Sequence, residues 1–153
     1  MINGSDSNGT FYILNKNKGV PIIFIHGVGL NHKIWKPQFN KFENTVVAYD
    51  ILGHGKTPLK SSNLSFDNFS IQLLNLIDEL NFNRIHLVGF SIGSLIARNF
   101  AEKYNERLES LTLLCSIFKR NEEQQQIVND RFELSKKSRS LSKQALKRWF
   151  TDK

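Results

Sequence analysis

A single cysteine, Cys115, stands among the 153 residues, and one thiol builds neither an internal disulfide framework nor a cysteine-based zinc site. No run approaches the ~18 consecutive apolar residues that a membrane-spanning helix needs. The amino-terminal stretch M-I-N-G-S-D-S-N-G-T has neither the basic nor the apolar region of a secretion signal. These absences predict a chain of the reducing cytoplasm with no membrane partner. What is present suits one globular domain: 40% of the residues are apolar, and 12 Phe supply large core side chains.

The net charge of +7 is unevenly spread. Residues 1–117 hold 11 basic and 9 acidic side chains, whereas residues 118–153 hold 10 and 5. A basic tail suggests an anionic partner. Here, however, Lys and Arg alternate with Glu, Gln and Ser, without the aromatic–basic interleaving of single-strand binders. The tail reads as a solvated helical face, and no nucleic-acid partner is expected.

Hydrophobic patterning gives strands alternating with helices. The first ten residues read as loose. Strands are predicted over 10–14, 21–25, 45–49, 84–88 and 108–114, the one at 21–25 being a continuous apolar run suited to a sheet buried on both faces. Residues 30–42 carry Ile34, Trp35, Phe39 and Phe42 near helical spacing, broken by Pro37. Helices are expected over 66–80, capped by Ser65 and presenting Phe66, Phe69, Leu73, Leu76, Ile77 and Leu80 on one face, and over about 92–104. Beyond Phe118 the chain turns polar and helical. The fold class is α/β with a mostly parallel sheet, divided into a core at 10–116 and a helical segment at 117–153.

Three motifs carry chemistry. Gly89-Phe90-Ser91-Ile92-Gly93 is a G-x-S-x-G sequence between a predicted strand and a predicted helix, where a sharp turn exposes the serine hydroxyl. The helix that starts there aims N–H groups and a positive dipole end at the same place. His26-Gly27-Val28-Gly29 follows a buried strand. A tetrahedral acyl intermediate needs two donors for its oxyanion. The expected donors are the N–H groups of Ile92 and Val28, with His26 hydrogen-bonding to backbone and shaping the loop. The third motif, Asp50-Ile51-Leu52-Gly53-His54-Gly55-Lys56-Thr57, ends like a phosphate-binding P-loop. That loop needs glycine where Asp50 stands and a helix where Pro58 follows. A turn is the better reading, with Asp50 accepting backbone N–H groups and the glycines at positive φ.

With P-I-I-F-I-H-G-V-G and Trp35 downstream, V-V-A-Y-D-I-L-G-H-G-K-T, and H-L-V-G-F-S-I-G-S-L-I-A, the chain resembles α/β-hydrolase fold proteins. The resemblance is to the branch of enol-lactonases, esterases and C–C bond hydrolases. It runs from about residue 10 to 153, and A-L-K-R-W-F-T-D-K is similar to a lid-helix segment of enol-lactonase-like members. Many relatives carry Arg where Leu52 stands, so no substrate role is assigned to that turn. The resemblance implies a three-layer α/β/α fold and Ser91 as nucleophile. It also implies a small ester, lactone or C–C substrate, with His26, Gly27, Phe90 and Trp35 near the substrate pocket. No cofactor or metal is expected.

The same resemblance exposes what is missing. In this fold the triad runs Ser, then acid, then His, yet His26, His32, His54 and His86 all precede Ser91. The later acids, Glu122, Glu123, Asp130, Glu133 and Asp152, fall in the polar tail, and Cys115 and Ser116 stand where some relatives place an acid. His86 is fixed within a strand, and His54 is the better candidate for a relocated base. The resemblance implies two further strands, so the 108–114 strand is left as an apolar edge, to be covered by a missing C-terminal half or by an oligomer. The leading expectation is the N-terminal portion of a longer serine hydrolase, inactive alone. The alternative is a non-catalytic hydrolase-like binding protein.

Overall fold

Runs such as P-I-I-F-I and T-V-V-A-Y place apolar side chains at consecutive positions, so both faces of the resulting strands need cover. They become β3 (Lys18–Ile25) and β4 (Asn44–Tyr49), which pair in parallel at the centre of a six-stranded sheet. On one flank β5 (Ile85–Phe90) and β6 (Leu108–Leu114) continue the parallel array. On the other, β1 (Ile2–Ser5) and β2 (Phe11–Asn15) close it antiparallel, giving the order β1-β2-β4-β3-β5-β6. The structure, a computed structural model, describes residues 1–61 and 63–137. The chain forms two units, Met1–Ser116 and Ile117–Lys153. The sheet lies in the first. The second contains α3 (Glu122–Lys137), with Ile127, Phe132 and Leu134 exposed along it.

Alternation along the strands splits the core into two layers. Ile23, Ile25, Val47, Tyr49 and Leu87 pack with Leu73, Leu76 and Ile77 of α1 (Phe66–Glu79) and Ile96 and Phe100 of α2 (Ile92–Lys103). Ile22, Phe24, Val46 and Ala48 pack with Trp35 and Phe39. Trp35 belongs to a 3₁₀ helix, His32–Gln38, capped by the Asn31 side chain and containing Pro37. Helical elements thus cover both faces of a mostly parallel sheet. Among the described residues no helix is long and apolar enough to cross a membrane.

Two readings of the sequence are corrected. The first residues are not loose: Ile2–Ser5 pairs with Phe11–Leu14, and Asp6 holds the intervening turn by accepting the N–H groups of Asn8 and Thr10. Its sequence I-N-G-S carries no apolar alternation, so only the pairing reveals it. Phe66, assigned to the apolar face of α1, is 40% exposed, whereas Leu73, Leu76 and Ile77 are fully buried.

The sheet ends unequally. In β6 only Leu108 is buried, and Leu111, Leu113 and Leu114 are 38%, 36% and 39% exposed.

Candidate active site

Ser91 joins β5 to α2 with φ 56° and ψ −119°, a conformation that costs a serine on the order of 1–3 kcal/mol. The surroundings impose it. A Cβ on Gly89 would strike the Gly93 backbone, and a Cβ on Gly93 would lie 2.6 Å from the Ile25 carbonyl oxygen. Both glycines therefore let α2 settle directly on β3 and β5. The Ser91 N–H donates to the Leu114 carbonyl (3.0 Å), and Ser94 N–H and Oγ donate to the Ser91 carbonyl (2.9 and 2.6 Å). Among the described residues no protein acceptor takes the Ile92 N–H, which opens α2.

The loop after β3 lies against this turn. A Cβ on Gly27 would come within 3.1 Å of the Phe90 ring and 3.3 Å of Ser91 Cβ. Residues 27–30 form a turn closed by Leu30 N–H on the Gly27 carbonyl (3.2 Å), with Gly29 at φ 72°. The Val28 N–H likewise has no protein acceptor among the described residues, and its side chain is 51% exposed. The two unengaged donors thus belong to Val28 and Ile92, the residues that directly follow Gly27 and Ser91, which approach each other closely.

His26 is wholly buried. Its Nε2 lies 3.1 Å from the Ile51 N–H, and its Nδ1 lies 2.8 Å from the Gly27 carbonyl oxygen. A backbone N–H can only donate, so Nε2 must be the acceptor and Nδ1 carries the proton. Burial holds the imidazolium off, lowering the pKa to about 4, with neighbouring His54 adding to the effect and the Gly27 bond opposing it.

The fully buried carboxylate of Asp50 organises the next turn. Oδ1 accepts the backbone N–H of His32 (2.7 Å) and the His32 Nδ1–H (2.8 Å), and Oδ2 accepts the Lys56 N–H (2.9 Å). Gly53 and Gly55 adopt φ of 72° and 56°, and a Cβ on Gly55 would overlap the Asp50 carboxylate. The Asp50 segment is thus a carboxylate-centred turn and not a phosphate cradle. Gln72 on α1 ties it down, donating to the Asp50 carbonyl (3.1 Å) and accepting the Leu52 N–H (3.1 Å).

The other singled-out residues differ in burial and partners. Trp35 is 6% exposed and stacks on Phe24 at 4.6 Å between centroids. It fills the second core layer. The buried His26 ring, with both nitrogens engaged, has likewise no free face for a ligand. Phe90 is half-buried beside Gly27. His54 bonds the Leu52 carbonyl (3.1 Å) and lies 5.4 Å from the His26 ring, and His86 bonds Ser110 Oγ (2.7 Å). Among the described residues no histidine or carboxylate hydrogen-bonds the Ser91 hydroxyl. The structural weight of His32 was not foreseen, because its partner lies 18 residues away. The sequence offers only a second histidine seven residues past the end of β3.

A family model for the alpha/beta hydrolase fold matches residues 20–148, and the chain belongs to that family. It is 27% identical over 146 residues to an (E)-2-((N-methylformamido)methylene)succinate hydrolase of Acinetobacter baylyi, covering 94% of this chain and 56% of that protein. It is 32% identical over 100 residues to a 3-oxoadipate enol-lactonase of the same organism, covering 64% and 37%. A solved hydrolase from Pseudomonas aeruginosa superposes with a TM-score of 0.79 over 94% of this chain and 56% of its own, at 21% identity. The chain spans about half the length, or less, of the curated relatives it matches.

Proposed function

We propose that this chain carries the nucleophile and oxyanion half of a serine hydrolase acting on a small ester, lactone or C–C substrate. The observation that carries the proposal is Ser91 at φ 56° between β5 and α2, with Gly27 packed against it and the N–H groups of Ile92 and Val28 unengaged. In the reaction, Ser91 Oγ attacks the substrate carbonyl carbon as a histidine removes its proton. The carbonyl oxygen becomes an oxyanion held by the two N–H groups. Collapse expels the alcohol or carbon leaving group, which takes the proton from the histidine, and water then hydrolyses the acyl-serine.

The base and its acid come from polypeptide outside this sequence. Two facts support this: the four histidines precede Ser91 and bond elsewhere, and relatives such as the succinate hydrolase are nearly twice as long. That polypeptide would sit against β6, whose leucines are exposed. The exposed, unpaired thiol of Cys115 accords with a cytoplasmic setting.

A second reading, a binding protein without turnover, is favoured by the absence of any base on Ser91 Oγ among the described residues. Fluorophosphonate labelling separates the two. The hydrolase reading expects labelling of a longer protein containing this sequence and none of its Ser91→Ala variant; equal labelling of both overturns it. The binding-protein reading expects the 153-residue chain to be monodisperse, folded and without turnover, and an aggregating chain counts against it.

A further inference from the structure

A second cleft opens on the side of the sheet that carries β1 and β2. It lies between the turn joining those strands, the segment that follows Asp50, and α1, and has a volume of about 210 Å³. It shares no lining residue with the Ser91 turn or the Val28 loop. Sites for drug-sized ligands run to about 300–1,000 Å³, so an occupant of this one has few atoms.

One part of the lining is apolar. Leu52 and Leu64 are half-buried there, and Ile71, which lies off the buried face of α1, is 46% exposed. The polar part is rich in unused donors. Thr10 is 2% exposed, and its Oγ1 accepts a bond from Gln72 Nε2 (3.3 Å). Its own hydroxyl proton meets no acceptor among the described residues. A buried donor left without an acceptor is costly, and this one lines an open cleft. Asn68 commits its Oδ1 to the N–H and hydroxyl of Ser65 (2.8 and 3.1 Å), which leaves its N–H groups to the cleft. Lys60 adds a cation, with Nζ on the Asn8 carbonyl oxygen. Among the described residues no carboxylate pairs with Lys60 or lines the cleft. Asp6 shares the turn with Thr10, but its Oδ1 is turned to the N–H groups of Asn8 and Thr10.

A cation and surplus donors call for a group that only accepts, which an ionised carboxylate does. A sugar would need acceptors in similar number, and a bare inorganic anion would leave Leu52, Leu64 and Ile71 uncovered. We propose that this cleft binds a small organic monocarboxylate. The Thr10 hydroxyl and Lys60 take its carboxylate, and Leu52, Leu64 and Ile71 receive its aliphatic body. The site stands whether or not Ser91 is a nucleophile.

Gln72 joins the cleft to the Asp50 turn. Its Nε2 donates to Thr10 Oγ1 and to the Asp50 carbonyl, and its Oε1 accepts the Leu52 N–H. A Thr10 hydroxyl that donates to a carboxylate becomes a stronger acceptor for Gln72. Occupancy therefore tightens the tie that holds the turn.

The experiment titrates sodium hexanoate into the isotope-labelled 153-residue chain at constant ionic strength and follows the N–H resonances. Hexanamide and acetate are the comparison ligands. We expect saturable shifts at Thr10, Leu52 and the Gln72 side-chain amide, with a Kd on the order of 1 mM, as suits a ligand of few atoms. Hexanamide, which has the body without the charge, should bind about tenfold more weakly. Acetate, which has the charge without the body, should lose about as much. Thr10→Val should weaken hexanoate about tenfold, and Thr10→Ser, which keeps the hydroxyl, should bind like the native chain. Lys60→Gln should cost about threefold, because its exposed ammonium is screened by water. No saturable shift at these groups up to about 20 mM, well above the expected Kd, overturns the proposal. So do shifts confined to the exposed leucines of β6, or equal affinity for hexanoate and either comparison ligand. If Thr10→Val does not fold, Lys60→Gln and the two comparison ligands still decide it.

Discussion

The middle of the sheet and its β6 edge belong to one sheet and meet opposite fates. At the centre, Ile23, Ile25, Val47 and Tyr49 are fully buried, and the loops beyond them are tied by His26, Asp50 and Gln72. At the edge, L-E-S-L-T-L-L pairs on one side only among the described residues, and three of its leucines are more than a third exposed. Composition separates them in part, since β6 places Glu109, Ser110 and Thr112 between its leucines. What differs is the number of layers around each strand: β3 and β4 lie between two layers of side chains, whereas β6 has a paired neighbour on a single flank. The oxyanion side of the candidate site stands on the first kind of foundation, and Ser91 stands between the two.

Substitutions that strike backbone at the centre should break this contrast most severely. Gly93→Ala sets a methyl against the Ile25 and His26 carbonyls (2.6 and 2.7 Å), and should cost about 3 kcal/mol or more. The loss is read from the urea midpoint of the chain. Asp50→Ala strands two buried donors and one partly buried donor, an expected loss of about 2–4 kcal/mol. Asp50→Asn, which keeps one acceptor oxygen, should lose less.

The His26 pKa gives a pH dependence of intermediate size. The folded ring titrates at about 4 instead of 6.5, so between those values the unfolded chain binds the proton and the folded chain does not. Stability should therefore fall as pH drops from 6.5 to 4. His26→Asn, with nothing to titrate there, should show a shallower loss over that window in urea titrations at pH 7, 5.5 and 4.5. A steeper loss would count against the neutral ring.

The smallest effect belongs to the edge. Leu113→Lys should change stability by no more than about 0.5 kcal/mol and reduce concentration-dependent light scattering, because a charge on an exposed strand opposes edge pairing. A cost like that of a core leucine would erase the comparison, since it would mean that β6 is covered in solution.

Much of this was legible in sequence for physical reasons that also mark the limits. The turn at Ser91 is written locally: Gly89 and Gly93 are needed because of atoms within a few residues or on an adjacent strand. Continuous apolar runs announce a doubly covered strand, and the helices starting near Phe66 and Ile92 were placed by periodicity and a cap. Strand β1 was missed because I-N-G-S bears no pattern, and its existence depends on Phe11–Leu14. Trp35, near the pocket by resemblance, lies in the core layer against which Phe90 packs, and a large ring near a motif does not by itself reveal which sheet face it joins. The role of His32 is not legible in sequence, because a histidine bonded to a distant carboxylate looks, in one dimension, like any polar loop residue. Residues 138–153, including the lid-like A-L-K-R-W-F-T-D-K, lie outside the described residues, so that expectation stands apart from this comparison.

One hydrogen bond crosses the divide. The Ser91 N–H is held by the carbonyl of Leu114, the final residue of β6. An outer strand is the first part of a sheet to fray, and each opening of its last turn would release the backbone of the strained serine beside it. The rate at which that single amide trades its proton for deuterium is therefore a clock for the edge, ticking at the centre of the candidate site.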